Sequence, residues 1–440
     1  MKTFNLALIC LLLGGGACFY SCSKSNSGAT TTTPPPPPPP PVISSISPDS
    51  GVLGTTVTIS GSGFSANIGD NLVKFNDSIA IVSSASATQL TVKVPVSAGT
   101  GPVSVTVGGK TATGPTFNYA YTVTVSTLAG SSPGYADGNG AAAKFGLLQG
   151  ICVDKDGNIY VADYGNSMIR KVTPSGGVGT FAGSTRGYAD GDGLTAQFNY
   201  PMAVCVDGQG NVYVADADNN RIRKITPAGT VSTVAGGTLG YADGSAATAQ
   251  FYRPSGICID GKGNLYVSDF YNNKIRKITP AGVVSTLAGS SQGFADGNGA
   301  VAQFNGPMGT LADSLGNVYV ADMNNDKIRK ITPSGVVSTL AGSSHGYAEG
   351  NALTAQFRWP AAVCLDGKGN FYVADNFNNK IRKITPAGIV SRLAGSTTGT
   401  VDGDASTAMF DEPYGICIDS HGIIYTTDEV GYRIRKIVIQ

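Results

Sequence analysis

Two sets of aspartates recur through the C-terminal two thirds of the chain, and carboxylates at such regular spacing could ligate a metal ion. Each set has six members that are 53 residues apart. The first set is Asp154, Asp207, Asp260, Asp313, Asp366 and Asp419, and the second is Asp163, Asp216, Asp269, Asp322, Asp375 and Asp428. Aspartate side chains at strand ends and turns also accept hydrogen bonds from backbone N–H groups. Because every copy is identical, we assign both sets to strand ends and hairpin turns rather than to a metal site.

An Arg-Lys pair also recurs six times, from Arg170-Lys171 to Arg435-Lys436. The aspartates balance these charges. We expect the pairs to lie at sheet edges and between neighbouring repeats, where they form ion pairs with the acids.

Five cysteines share one register of the repeat, and a leucine replaces the sixth. They are Cys152, Cys205, Cys258, Cys364 and Cys417, with Leu311 in the fourth copy. In a six-fold ring, neighbouring equivalents would lie about 8–10 Å apart, beyond the roughly 7 Å Cα separation that a disulfide allows. The leucine indicates that the position requires a modest apolar side chain. We therefore predict buried free thiols.

The chain offers little for catalysis by metal or nucleophile. Its two histidines, His345 and His421, belong to loops expected on opposite faces of the fold, and no HxxxH spacing is present. There is also no nucleophile elbow and no glycine-rich phosphate loop after a strand. We predict no catalytic residues, no metal ligands and no cofactor.

The elements that position these residues are short strands. Phrases such as NVYVADADNNRIRKITP return every 53 residues, and a period near 50 in an all-strand pattern is typical of β-propeller blades. Each unit provides four strands, which begin at sequences like GICVD, NVYVAD, RIRKIT and VSTLAG. The units resemble NHL repeats over almost all of residues 121–440. The predicted fold class is therefore all-β, with a six-bladed propeller.

The phrase VSTLAG also stands at residues 125–130, before the first complete repeat, whereas the sixth repeat ends at IRKIVIQ without a fourth strand. We predict that the N-terminal strand completes the last blade. Both ends of the propeller would then share one sheet, and no open edge would remain.

A separate β domain precedes the propeller. Residues 42–119 alternate apolar and polar positions between glycine-rich turns, which indicates a small immunoglobulin-like β-sandwich. The sequences ISPDSGVLGTTVTISGSGF and VPVSAGTGPVSVTVGG resemble an IPT/TIG domain. This resemblance implies a spacer or protein-contact module.

The first residues have the pattern of a secretory signal, because an apolar stretch follows Lys2. The next segment, FYSCSKS, resembles the lipoprotein signals of Bacteroidota, in which a cysteine becomes the lipid-modified first residue. The resemblance implies a signal peptide at residues 1–22 and lipidation of Cys22, with Cys18 as the alternative.

Residues 23–41 form a Thr/Pro-rich linker that ends in eight prolines. An oligoproline run is a stiff spacer, here of roughly 25 Å. We expect a protein tethered by a lipid anchor in the cell envelope, at the outer membrane. The SKSNSG sequence after Cys22 has no acidic pair, so periplasmic and surface display both stay open.

Binding residues are sought where the repeats differ, because positions identical in every blade belong to the scaffold. The loop after the second strand and the loop before the first strand open on one face, and both vary in aromatic and charged residues. The candidates for ligand binding are Tyr164, Tyr200, Tyr252, Arg253, Phe270, Tyr271, Arg358, Trp359 and Phe377. Aromatic rings with flanking polar groups are typical of sugar or peptide recognition.

We therefore predict a binding or scaffold protein of the envelope with a glycan or protein ligand. The net charge of +1 gives no electrostatic case for a nucleic-acid partner. The alternative is a calcium-dependent lyase or lactonase, because propellers of the gluconolactonase and peptide-amidating-lyase kinds hold a metal in the channel. The oligomeric state stays open.

Overall fold

The structure is a computed structural model that describes residues 39–96 and 98–440. The predicted signal peptide, most of the proline-rich linker and the two candidate lipidation sites, Cys18 and Cys22, lie outside the described residues. No helix in the described part of the chain is both long and apolar enough to cross a bilayer.

The first domain is a curled eight-stranded sheet with one 3-10 turn. Its strands are β1 (Val42–Ser47), β2 (Ser50–Gly51), β3 (Thr56–Ser62), β4 (Asn71–Phe75), β5 (Ser78–Ala85), β6 (Gln89–Lys93), β7 (Gly101–Val107) and β8 (Lys110–Tyr119), and the turn covers Ile68–Asp70. The hydrogen-bonded order is β1-β3-β6-β5-β4-β7-β8-β2. The alternating apolar residues form one core, in which Phe75 and Phe117 pack edge to face at 5.0 Å.

Six further sheets follow β9 (Val123–Ala129) and form the blades of a propeller. Blade 1 contains β10 (Gly138–Asn139), β11 (Leu148–Val153), β12 (Ile159–Asp163), β13 (Met168–Val172) and β14 (Gly177–Ala182). Blade 2 contains β15 (Gly191–Asp192), β16 (Pro201–Val206), β17 (Val212–Asp216), β18 (Arg221–Ile225) and β19 (Thr230–Gly236). Blade 3 contains β20 (Gly244–Ser245), β21 (Pro254–Ile259), β22 (Leu265–Asp269), β23 (Lys274–Ile278) and β24 (Val283–Ala288).

The last three blades repeat this arrangement. Blade 4 contains β25 (Pro307–Ala312), β26 (Val318–Asp322), β27 (Lys327–Ile331) and β28 (Val337–Ala341). Blade 5 contains β29 (Gly350–Asn351), β30 (Pro360–Leu365), β31 (Phe371–Asp375), β32 (Lys380–Ile384) and β33 (Ile389–Ala394). Blade 6 contains β34 (Gly403–Asp404), β35 (Pro413–Ile418), β36 (Ile424–Asp428) and β37 (Arg433–Ile439). The 3-10 turns of the propeller cover Gly140–Ala142, Tyr164–Asn166, Ala217–Asn219, Met323–Asn325 and Asn376–Asn378.

The predicted closure of the propeller is confirmed. In blade 6, β9 lies between β37 and β34, in the order β34-β9-β37-β36-β35. Val125 pairs with Ile437, and beyond the strand ends Thr122 and Gln440 exchange backbone hydrogen bonds of 2.8 and 2.9 Å. The strand that opens the propeller in sequence therefore closes it in space.

The Asp and Arg residues that repeat in every blade have structural roles. In blade 1, Asp154 accepts hydrogen bonds from the backbone N–H groups of Asp156 and Asn158 and so forms a hairpin turn. Asp163 is fully buried and forms an ion pair with Arg170 at 2.9 Å. The same two arrangements recur in the other blades.

The expected pairing of the arginines with the acids is confirmed, but their expected position was wrong. Arg170 and its five equivalents are fully buried instead of lying at sheet edges. Arg170 binds two carbonyl oxygens of the segment that leads into its own blade, those of Ala136 and Lys144. A buried cation requires several acceptors, and the entry segment of each blade supplies them. The arginines therefore hold a blade to its own entry segment, not to the next blade.

The five cysteines of the repeat are free in the structure. They lie on the innermost strands, and burial raises the pKa of the Cys258 thiol to about 12. Cys205, Cys258 and Cys364 are buried, whereas Cys152 and Cys417 are partly exposed. The prediction of free thiols is thus confirmed, and three of the five are buried.

Candidate functional site

All nine candidate residues lie on one face of the propeller, which we call the loop face. The first residue of each innermost strand pairs with the last residue of the second strand, as Pro201 does with Asp216. Residues just before an innermost strand and just after a second strand therefore meet at the same end of a blade. The candidates fall only at these two places.

Six of the candidates form one connected group on blades 1 to 3, the tyrosine cluster, consisting of Tyr164, Tyr200, Tyr252, Arg253, Phe270 and Tyr271. The rings of Tyr164 and Tyr200 stack with centroids 4.7 Å apart. Arg253 reaches across from blade 3, and its Nη2 donates to the Tyr164 hydroxyl at 3.1 Å.

Arg253 joins the two halves of the tyrosine cluster. Its Nη1 lies 3.4 Å from the Tyr271 hydroxyl, and its Nε lies 3.2 Å from Asp218. The Tyr271 ring in turn contacts Tyr252 at 4.6 Å and Phe270 at 4.9 Å. Tyr252 and Tyr271 are 38% and 48% exposed, so the cluster presents ring surface to solvent.

The other three candidates form a second group on blade 5, the tryptophan cluster, consisting of Arg358, Trp359 and Phe377. The rings of Trp359 and Phe377 meet edge to face at 4.6 Å, and the Arg358 guanidinium lies 5.5 Å from the Phe377 ring. Trp359 is 39% exposed. The loop face thus carries two separate aromatic surfaces.

One register position on this face has left-handed backbone in five blades. The φ angles are 52° at Tyr200, 56° at Arg253, 61° at Gly306, 55° at Trp359 and 58° at Glu412. Most of these residues donate their N–H to an Asn or Asp in the preceding blade, as Trp359 does to Asp326 at 3.0 Å. Left-handed backbone is unfavourable for bulky residues and costs on the order of 1 kcal/mol each.

Sequence reasoning missed two residues that support these clusters. His345 Nδ1 lies 3.2 Å from the carboxylate of Asp326, the residue that anchors the Trp359 backbone. Arg186 Nη1 donates to the Tyr200 hydroxyl at 2.7 Å. His345 and Arg186 occupy equivalent positions in two entry segments. A comparison of the repeats at the 53-residue spacing would have shown that the residue type at this position varies.

The mouth of the central channel opens on the loop face and is lined by a variable ring that sequence reasoning also missed. The ring comes from the second residues of the innermost strands and consists of Gln149, Met202, Ser255, Met308, Ala361 and Tyr414, all buried. Tyr414 reaches across the channel, with its hydroxyl 3.8 Å from the Met308 sulfur. Tyr414 and Met308 therefore meet across the ring.

Acidic side chains lie at one side of this mouth. Glu429 follows β36, and it accepts a hydrogen bond of 2.5 Å from Gln149 Nε2. Burial and the neighbouring charge of Glu412 raise the pKa of Glu429 to about 8. Burial likewise raises the pKa of Glu412, and Asp411 adds to this shift.

The lining of the channel does not suit the calcium ion of the alternative enzyme. Calcium prefers several carboxylate and carbonyl oxygens, whereas the ring contains two thioethers and no carboxylate. Among residues 39–96 and 98–440, no three His, Cys, Asp or Glu side chains are grouped so as to hold a metal ion. His345 lies on the loop face, and His421 lies in the hairpin between β35 and β36 on the opposite face.

That opposite face has a groove of about 420 Å³ between blades 1 and 2. Its lining includes Lys155, Tyr160, Lys171 and Gln209, and none of the nine candidates. The hairpins that form it keep the repeated Asp and Gly residues, so the groove is mainly a product of the scaffold.

Comparison with known proteins identifies both parts of the chain. Residues 41–123 match the IPT/TIG domain, and residues 145–171, 198–225 and 251–278 match the NHL repeat. The chain is similar to Protein SUPPRESSOR OF QUENCHING 1, chloroplastic, of Arabidopsis thaliana, at 33% identity over 57% of this chain and 26% of that protein. It is also similar to human NHL repeat-containing protein 2, at 26% identity over 64% of this chain and 45% of that protein. The chain thus spans less than half the length of either relative.

Solved structures from Bacteroides share the fold over nearly the whole chain. A protein of unknown function from Bacteroides thetaiotaomicron aligns with a TM-score of 0.64 and 23% identity, covering 92% of this chain and 99% of that one. An auxiliary nutrient binding protein from the same organism aligns with a TM-score of 0.57 and 18% identity, covering 91% and 98%. The chain thus has a β domain that matches the IPT/TIG domain, followed by a six-bladed β-propeller that matches the NHL repeat in three segments.

Proposed function

We propose that this protein is a lipid-anchored binding protein of the cell envelope, and that its loop face recognises a glycan or a peptide. The observation that carries the proposal is the left-handed position on that face. Gly306 occupies it in blade 4 and adopts this backbone without strain. Tyr200, Arg253 and Trp359 hold the same backbone at a cost.

Such strained residues are kept where their side chains are used. Because glycine is tolerated at this position, the fold itself does not require Trp359 or Arg253. Their side chains lead into the two aromatic clusters, where exposed rings adjoin guanidinium groups. Rings of this kind stack on sugars or on peptide side chains, and the guanidinium groups donate hydrogen bonds.

The N-terminal segments and the similar solved structures support a role in the cell envelope. The signal pattern at residues 1–22 and Cys22 favour a lipid anchor, with the proline-rich linker and the IPT/TIG domain as a spacer. The auxiliary nutrient binding proteins of Bacteroides thetaiotaomicron and Bacteroides ovatus share both domains of the fold. We infer a place at the outer membrane, with either periplasmic or surface display.

Two substitutions at one residue test the proposal. Trp359→Ala and Trp359→Gly both remove the ring, but only glycine also relieves the left-handed backbone. We expect both variants to bind envelope glycans or peptides at least tenfold more weakly, as measured on arrays and by calorimetry. We expect the melting temperature of the glycine variant to equal or exceed that of the alanine variant.

A replacement in the entry segment of blade 3, Tyr241→Ala, serves as the matched control, because that ring is exposed and repeats regularly among the blades. It should leave ligand binding unchanged. If the Trp359 variants bind normally and lose several degrees of melting temperature, the tryptophan is a packing residue and the proposal fails at this cluster.

A further inference from the structure

The channel mouth presents hydrogen-bond acceptors without a matching donor. Gln149 is 4% exposed, and its Nε2 donates to Glu429. Its Oε1 is buried and has no hydrogen-bond partner among the described residues. A buried polar atom without a partner costs about 1–3 kcal/mol, so this oxygen is placed to accept a hydrogen bond from a bound molecule.

The Glu429 carboxylate accepts from the same Gln149 amide group, and the Glu429 backbone N–H donates to the Glu412 carbonyl at 3.1 Å. Both glutamates are partly buried, and the charge of Glu412 lies close enough to raise the pKa of Glu429. Neither carboxyl group forms an ion pair within residues 39–96 and 98–440. The arginines near Glu429 along the chain and across the mouth have other partners. Arg433 donates to the Gly431 carbonyl, Arg435 pairs with Asp428, and Arg253 contacts Asp218 and Tyr164.

We propose that the ligand of the loop face carries a protonated amine, and that this ammonium group binds at the channel mouth between Glu429, Glu412 and Gln149 Oε1. An ammonium group has three N–H donors and no acceptor, which complements three oxygens of this kind. The inference deepens the proposed function, on which it rests, by naming the chemical class of the ligand.

The walls beside these oxygens agree with an amine on a carbon stem. Tyr414 and Met308 form an apolar floor, and Phe270 and Met323 pack in the same core. The amine belongs either to a peptide, as a lysine side chain or N-terminus, or to an amino sugar. A glycan with only hydroxyl groups would leave the carboxyl groups without a counter-charge.

Paired probes with the amine either free or acetylated distinguish these sources. The first pair is a lysine-containing pentapeptide and the same peptide acetylated on both amines, and the second is glucosamine and N-acetylglucosamine. Binding to the full protein is measured by calorimetry. We expect the charged member of at least one pair to bind at least tenfold more tightly than its neutral counterpart.

Variants then locate the effect. Glu429→Gln should abolish the preference for the charged probe, and Glu412→Gln should reduce it. Asp156→Asn, an exposed acid on the opposite face, should leave it unchanged. Burial disfavours the ionised form of Glu429, so a neutral glutamine at this position should not prevent folding.

The dependence on pH gives an independent readout. Because the pKa of Glu429 is raised to about 8, its carboxylate form increases from pH 6.5 to pH 9. Affinity for the lysine side chain, whose ammonium group stays protonated over this range, should rise and should become flat in Glu429→Gln. Glu412 acts directly on Glu429, and Tyr414 on β35 also lies within reach of its charge. Tyr414 in turn lies within reach of Arg253 and Tyr164, and Asp428, which precedes Glu429, lies near Arg435 and Asp411.

Other outcomes would overturn the inference in distinguishable ways. If neutral glycans bind at the loop face and amines have no advantage, the proposed function stands and the amine site is wrong. If calcium chloride stabilises the wild type but not Glu429→Gln, the acidic groups hold a metal instead. If no member of either pair binds, the amine site is wrong, and arrays of neutral envelope glycans decide the proposed function separately.

Discussion

Removal of β9 should open the propeller. Six residue pairs join β9 to β37, and Val125 and Ala129 are 1% and 0% exposed. With about 1 kcal/mol for each net hydrogen bond and about 2 kcal/mol for the burial of Val125, the loss is on the order of 8 kcal/mol. The net stability of a domain is itself about 5–15 kcal/mol. A chain that begins at residue 131 should therefore unfold or associate through the exposed edge of β37.

A chain that begins at residue 121 is the matched control, because it also lacks the IPT/TIG domain but keeps β9. Thermal unfolding, followed by circular dichroism, should give a cooperative transition for the longer chain and none for the shorter one. A finer pair within the full chain is Val125→Asp, at a buried position, and Thr124→Asp, at an exposed one. Equal melting of the two truncated chains would refute the closure argument.

Four further outcomes are expected. Arg276→Met leaves the buried carboxylate of Asp269 without its cation and should lower the free energy of unfolding by about 3–5 kcal/mol. Lys277→Met should change this free energy little, and denaturant titrations measure both variants. Between about pH 5 and 8 the folded protein keeps a proton on Glu429 that the unfolded chain has lost. The free energy of unfolding therefore falls as pH rises, and Glu429→Gln should make this fall shallower. Trp359→Gly should weaken binding without loss of stability, as measured by calorimetry and thermal melts. Cys22→Ala should shift the protein from the membrane to the soluble fraction.

The scaffold was predictable because its chemistry repeats. The 53-residue spacing was enough to predict six blades. The early VSTLAG phrase predicted the closing strand, because it was the one strand without a blade and the sixth blade was the one that lacked a strand. The free cysteines were predictable for a similar reason, because Leu311 at the same register identifies an apolar position. The alternating strands of residues 42–119 indicated the first domain in the same way.

The arginines show where repetition misleads. A strand with the sequence Ile-Arg, as in each repeat, can turn either residue inward. Charge alone predicts that the arginine lies at the surface. Arg170 is kept buried by the carboxylates of Asp163 and Asp137 together with two carbonyl oxygens of the entry segment. The acids are visible in the sequence, but the backbone carbonyl groups leave no trace in it.

The site was predictable only in part. The 53-residue register indicated that all nine candidates share a face, but the separation into two clusters depends on how far Arg253 reaches across blade 2. The left-handed backbone at Trp359 is set by its hydrogen bond to Asp326 in the preceding blade. The ring that includes Gln149 lies within strands and not in loops, so a search for variable loops did not reach it.

Fluorescence of Trp359, the one tryptophan in the chain, is the most direct test of the claim that the loop face binds a ligand. Its ring is partly exposed beside Phe377 and Arg358, so a bound sugar or peptide would change its surroundings. Titration with envelope glycans and peptides should give a saturable change in emission. Emission that no envelope glycan or peptide alters, together with a large loss of stability in Trp359→Ala, would contradict the account.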